Sequence, residues 1–158
     1  MNRSRGFTLI ELVVVIAILA VLLATAAPKF FDLQKEARKS AVNGLRAAVD
    51  ASRVMASAML AAAGSPGNSS LLVEGSTVTM GSGYPTGNAN GIVNAVRFDS
   101  TVFAATVGPS TAPVISTGMV YFGIKSATSP NTCGFTYSDA ATTTGVTAFV
   151  STPVLTGC

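Results

Sequence analysis

Residues 6–11 read Gly-Phe-Thr-Leu-Ile-Glu. Glu11 is a lone carboxylate near the start of an apolar run that continues to Ala27 and is otherwise broken only by Thr8 and Thr25. A carboxylate near the centre of a bilayer costs about 2.5–3.5 kcal/mol, and less near an edge. Glu11 is therefore either tolerated at an interface or supplied with a partner. A cut after Gly6 would supply one. Phe7 would then be a free N-terminus, with an α-amine that titrates around 7.7–8.0 and is largely protonated at neutrality. Opposite charges attract strongly where water is scarce, and an unpaired charge there is heavily penalised. If neighbouring copies are staggered by a few residues, Glu11 of one neutralises the Phe7 amine of the next. The charge pair fixes the register while apolar faces pack laterally, which is a polymerisation device.

Other reactive chemistry is sparse. The chain of 158 residues has no histidine, no tryptophan and two cysteines, Cys133 and Cys158. Cys/His metal clusters are ruled out, and the seven carboxylates include no pair that stands out as a general acid and base. Asp99 and Asp139, with backbone carbonyls, have the chemistry of a calcium site, but no metal or other cofactor is expected. An even cysteine count in an exported-looking chain reads as one disulfide, Cys133 to Cys158, which would stabilise by roughly 3 kcal/mol through loop closure. The other reading is two free thiols in a reducing compartment.

Several elements must position these groups. Hydrophobic residues make up 49% of the chain and charged residues only 11%, against roughly a quarter charged in ordinary soluble domains. The excess is concentrated before Pro28. Residues 7–27 as a helix span about 32 Å, enough to cross a hydrocarbon core. A secretory signal peptide is the competing reading, with Glu11 and Pro28 against it. Pro28 removes a backbone donor and crowds the carbonyl of Ala24, so it predicts a kink or local opening. Beyond it, residues 29–63 are again helical in composition. Val42, Leu45, Val49, Ala56, Met59 and Ala63 form an apolar stripe at helical spacing. Arg46–Asp50 and Asp50–Arg53 are spaced for pairing on a solvated face. A helix from Phe7 to Ala63 is on the order of 85 Å long. The remaining chain is too small to cover it, so its first half must lie in lipid or among other copies.

The helix must stop at residues 64–70, Gly-Ser-Pro-Gly-Asn-Ser-Ser, and from Leu71 Gly, Ser and Thr become common. Residues 71–81 read as a strand, or as a loop with one short strand. Residues 92–98 read as a strand or as a short helix capped by Asn90. Residues 119–124, 133–138 and 145–151 read as strands. The expected fold is α+β: a long N-terminal helix, with a transmembrane half and an amphipathic half, packed on a small antiparallel sheet. Eight of the ten bases lie at or before Arg53, so the C-terminal two-thirds offers no basic patch for nucleic acid.

The string GFTLIELVVVIAILAVLLATAAPKF resembles the N-terminus of type IV pilins and pseudopilins. The resemblance covers residues 1 to about 53, and it implies a pilin fold. It also implies that a short basic leader, residues 1–6, is cut after Gly6 by a prepilin peptidase, that Phe7 is N-methylated, and that Glu11 serves assembly. Pro28 matches the proline that type IV pilins carry where the helix melts in filaments. Cys133 and Cys158 look like the C-terminal disulfide loop of type IV pilins, which type II secretion pseudopilins usually lack. The Gly83–Pro85 loop and the terminal Thr-Gly-Cys look like the mannose-sensitive haemagglutinin type of pilin. The domains implied are the leader, an assembly helix over 7–28, an amphipathic helix over 29–63 and a β-rich head over 64–158.

The function implied is the major structural subunit of a type IV pilus, serving adhesion, biofilm attachment or motility. Its partners would be other pilin subunits, the prepilin peptidase, the assembly machinery and, before assembly, the bacterial inner membrane. The alternatives are a type II secretion pseudopilin, a minor pilin of a DNA-uptake machine, or a monomeric membrane-anchored binding protein. Only Arg3 and Arg5 precede the apolar run, whereas Lys29, Lys35, Arg38 and Lys39 follow it. Bases alone would favour the opposite orientation, but long C-terminal domains translocate largely regardless of charge. The N-terminus is expected inside and the head outside, in a compartment that permits a disulfide.

Overall fold

The computed structural model describes residues 7–64, 69–139 and 147–158. Helix α1 runs from Leu9 to Ala62 and contains Pro28. The chain divides after Ala37 into two compact units.

In the C-terminal unit, β1 (Ser70–Val73), β2 (Ser76–Gly81) and β3 (Tyr84–Pro85) form a meander in the order β1-β2-β3. The stretch expected to hold at most one strand is thus a hairpin. Glu74 and Gly75 form its two-residue reversal, both at positive φ (47° and 82°), between Val73 and Ser76. Ser82 and Gly83 repeat the device at φ 50° and 86°. Paired left-handed residues match the twist of the flanking strands, and glycine takes the second position of each at little cost.

Helix α2 is a single turn, Ile92–Ala95, capped at Gly91 without a side-chain bond. The expected Asn90 cap is not used. The helix starts at Ile92, which places the cap at Gly91, and the Asn90 carbonyl accepts the Thr79 N–H of β2.

The larger sheet has the order β4-β7-β8-β9, all antiparallel, from β4 (Phe103–Val107), β7 (Met119–Ile124), β8 (Gly134–Ser138) and β9 (Phe149–Val150). A small hairpin, β5 (Ser110–Thr111) with β6 (Val114–Ile115), lies between β4 and β7 in sequence. A 3₁₀ turn over Pro130–Thr132 leads to Cys133. Cys133 and Cys158 are joined in a disulfide.

The head-side stripe of α1 serves two sheets in turn. Val42, Leu45 and Val49 pack with Ile92, Val120, Phe122, Phe135 and Tyr137 of the main core. Ala56 and Leu60 pack with Val78 and Met80 of the β1-β2-β3 sheet. Met59 and Ala63, expected in the stripe, are exposed instead, and Leu60 takes the buried place. At about 100° per residue, Leu60 returns within about 20° of the Val49 direction, whereas Met59 falls about 80° away.

The main core also holds one buried phenol. Tyr137 donates its hydroxyl to the Pro85 carbonyl. Burial, with the Asp139 carboxylate nearby, pushes its pKa up, so the group stays a neutral donor. The outer face of β7 is closed by Tyr121. Its ring lies over Gly123 and Gly134, which pair across the strands. Its hydroxyl donates to the Pro130 carbonyl at 2.8 Å.

Candidate functional site

The candidate site is the beginning of α1. Thr8 stands just before the first helical residue, Leu9, and Glu11 lies in the first turn. The first N–H groups of a helix have no partner within it. Here the Thr8 N–H donates to Glu11 Oε2 at 2.9 Å, and the Thr8 hydroxyl donates to the same oxygen at 2.7 Å. The Glu11 N–H in turn reaches Thr8 Oγ1 at 3.4 Å. This is a capping box: a hydroxyl residue and a glutamate three positions on satisfy each other's backbone. The helix N-terminus also carries a partial positive charge that favours a carboxylate in its first turn.

Glu11 is therefore not bare even in a single chain. The sequence carries the signal for the cap, since Thr-Leu-Ile-Glu ahead of an apolar run is the signature of such a box. Both bonds end on Oε2, and among the described residues no hydrogen bond to Oε1 is found. Oε1 is thereby left for a further partner. Gly6, the expected cleavage residue, lies outside the described residues.

Behind the cap, the apolar side chains have nothing to cover them. Phe7 is 80% exposed and Leu9 79%. The helix is long and apolar enough to cross a membrane, and none of its most apolar 18-residue window is buried. Monomeric soluble proteins rarely expose a contiguous apolar patch of more than a few hundred Å². Pro28 leaves the Ala24 carbonyl without the N–H it would otherwise receive. A turn earlier, the Thr25 hydroxyl donates to the Leu22 carbonyl at 2.9 Å.

The comparisons bear on this segment. Residues 1–27 match the family model for the prokaryotic N-terminal methylation motif. The type IV narrow pilus major component PilA5 of Thermus thermophilus is 49% identical over 47 residues, 30% of this chain and 40% of that protein. The type IV major alpha-pilin of Moraxella bovis is 46% identical over 48 residues, 30% of each chain. The N-terminal segment is similar to that of type IV pilins. The matches span less than half the length of these relatives, and no solved structure matches the chain. The long apolar helix and the antiparallel sheets form the α+β architecture of a pilin fold.

The other candidates are placed as follows. The Asp99 carboxylate accepts from the Thr101 N–H and hydroxyl. These hydrogen bonds hold its pKa below the usual carboxylate range. Asp139 accepts the buried Gly87 N–H at 2.8 Å. Asp99 therefore serves its own loop and Asp139 ties the end of β8 to Gly87, and no group of three or more metal-ligating side chains is found among the described residues.

The arginines of α1 depart from the expected solvated face. Arg53 pairs with Asp50 at 2.7 Å, as its spacing foretold. It also donates to the Ala148 carbonyl, and Arg46 Nε donates to the Ser151 carbonyl rather than serving only a surface pair. Arg38 donates to the main-chain oxygen of Cys158. These positions lie on or beside the buried stripe, so their long side chains reach the C-terminal segment.

Proposed function

We propose that this chain is the structural subunit of an extracellular type IV pilus, made as a membrane-held precursor. The observation that carries this reading is the coincidence of an uncovered apolar helix with a capped Glu11 and a Phe7 that follows a glycine in the sequence. Removal of residues 1–6 by a prepilin peptidase and N-methylation give Phe7 a cationic terminus. Glu11 of one copy then takes the Phe7 amine of the next through the oxygen that Thr8 leaves open.

The bilayer covers the apolar half of α1 before assembly, and other copies cover it in the fibre. Pro28 marks the place where that helix loosens in the filament. The role is structural, and the head over 64–158 presents the surface for adhesion, biofilm attachment or motility. The disulfide, and relatives whose names make them major pilus components, support a major pilin over a pseudopilin. The Gly83–Pro85 loop and the terminal Thr-Gly-Cys support the mannose-sensitive haemagglutinin type.

Glu11→Val tests the charge pair. The variant is expected to insert into the membrane normally and to yield at least tenfold fewer surface fibres by electron microscopy and shear recovery. A normal yield of micrometre-long fibres would contradict the pairing.

A further inference from the structure

The C-terminal segment, residues 147–158, is held on two sides. On one side it bonds the sheet and the 3₁₀ turn. Ser151 N–H donates to the Thr136 carbonyl at 2.9 Å, Val154 and Gly134 exchange backbone bonds at 2.8 and 3.0 Å, and Gly157 N–H donates to the Thr132 carbonyl at 3.0 Å. On the other side are the arginines of α1. Arg53 Nη1 donates to Ala148 O at 2.7 Å, Arg46 Nε to Ser151 O at 2.8 Å and Arg38 Nη1 to Cys158 O at 2.9 Å. The order is antiparallel: as the helix number rises from 38 to 53, the acceptor number falls from 158 to 148.

At about 100° per residue, Arg46 and Arg53 fall within about 80° of Arg38, so one helix flank carries all three. All three acceptors are main-chain oxygens, so the contact reads the path of the segment and not its side chains. A charged donor makes a stronger bond than a neutral one, and the planar guanidinium is already shaped for the task. By contrast β9 has only two residues, and so short an edge pairing is marginal by itself.

We propose that Arg38, Arg46 and Arg53 dock the C-terminal segment independently of the Cys133–Cys158 bond, so that the disulfide closes on a segment already in place. The arginines are positioning residues, and Arg38 holds Cys158 itself. Closure joins the two sulfurs, releases two protons and passes two electrons to a dithiol-oxidising partner, such as a second disulfide that is reduced to two thiols. Docking raises the effective concentration of one thiol at the other without changing either thiol.

The test uses the full chain in detergent, reduced and then equilibrated with a glutathione redox buffer. Relative to wild type, Arg38→Gln should lower the effective concentration of the thiol pair by about tenfold. The triple variant Arg38→Gln/Arg46→Gln/Arg53→Gln should lower it further, while Arg97→Gln, whose partner is Glu74, should leave it unchanged. Hydrogen exchange on the reduced wild type should keep the Ser151, Val154 and Gly157 amides protected, and the reduced triple variant should lose that protection. If the triple variant fails to fold when reduced, Arg38→Gln alone decides. An unchanged effective concentration in Arg38→Gln, or unprotected amides in the reduced wild type, would overturn the proposal.

Discussion

At the scale of single residues, glycines mark where the head tolerates no side chain and where the helix would welcome one. A Cβ on Gly134 would lie 2.1 Å from the backbone oxygen of Phe122 and 2.6 Å from the Tyr121 hydroxyl. Gly134→Ala must therefore displace the β7 backbone as well as the Tyr121 ring, and it should cost about 1–3 kcal/mol. Gly44 is exposed in the middle of α1, and a Cβ there meets nothing within 4 Å. Gly44→Ala should stabilise by about 0.5–1 kcal/mol, through the entropy of the unfolded chain. Denaturant unfolding of the two variants should move in opposite directions. The requirement at Gly134 was not legible in the sequence, because it arises from the register that sets Gly134 opposite Gly123. The Thr8–Glu11 box was legible, being a local pattern of four residues.

At the scale of elements, the amphipathic half of α1 carries one buried stripe of five residues, Val42, Leu45, Val49, Ala56 and Leu60. Leu60 is 3% exposed and Met59 39%. Leu60→Ala should destabilise by about 2–5 kcal/mol. Met59→Ala, at a more open position, should stay within about 0.5 kcal/mol of wild type. Thermal unfolding compares the pair, and equal losses would place the stripe wrongly. Periodicity sufficed to find the stripe up to Ala56. Beyond that, Met59 and Leu60 are both apolar, and composition alone does not choose between adjacent positions when several alanines surround them. The arginine contacts were hidden for a different reason. Their acceptors are main-chain oxygens about 95 to 120 residues away in sequence, and no residue type announces a main-chain oxygen.

At the scale of the whole molecule, the two units meet their hydrophobic needs in different ways. The C-terminal unit closes its own core around Phe122, Phe135 and Tyr137, with the disulfide at its edge. Cys158→Ser should lower its stability by roughly 3 kcal/mol, read as a lower unfolding temperature and fewer fibres. An unchanged unfolding temperature would deny the bond a stabilising role. The described part of the N-terminal unit buries no large side chain of its own: those from Phe7 to Leu33 are exposed. The α+β class and the long helix were both plain from composition and period. The division of the strands into three sheets was not, since two-residue strands such as β3 and β9 exist only through their partners.

The account rests on a cation created next to Glu11, so the most direct measurement is mass spectrometry of the N-terminus of protein recovered from surface filaments. The predicted result is a chain that begins at Phe7 with a methylated amine. Filaments built from subunits that still carry residues 1–6 would contradict it.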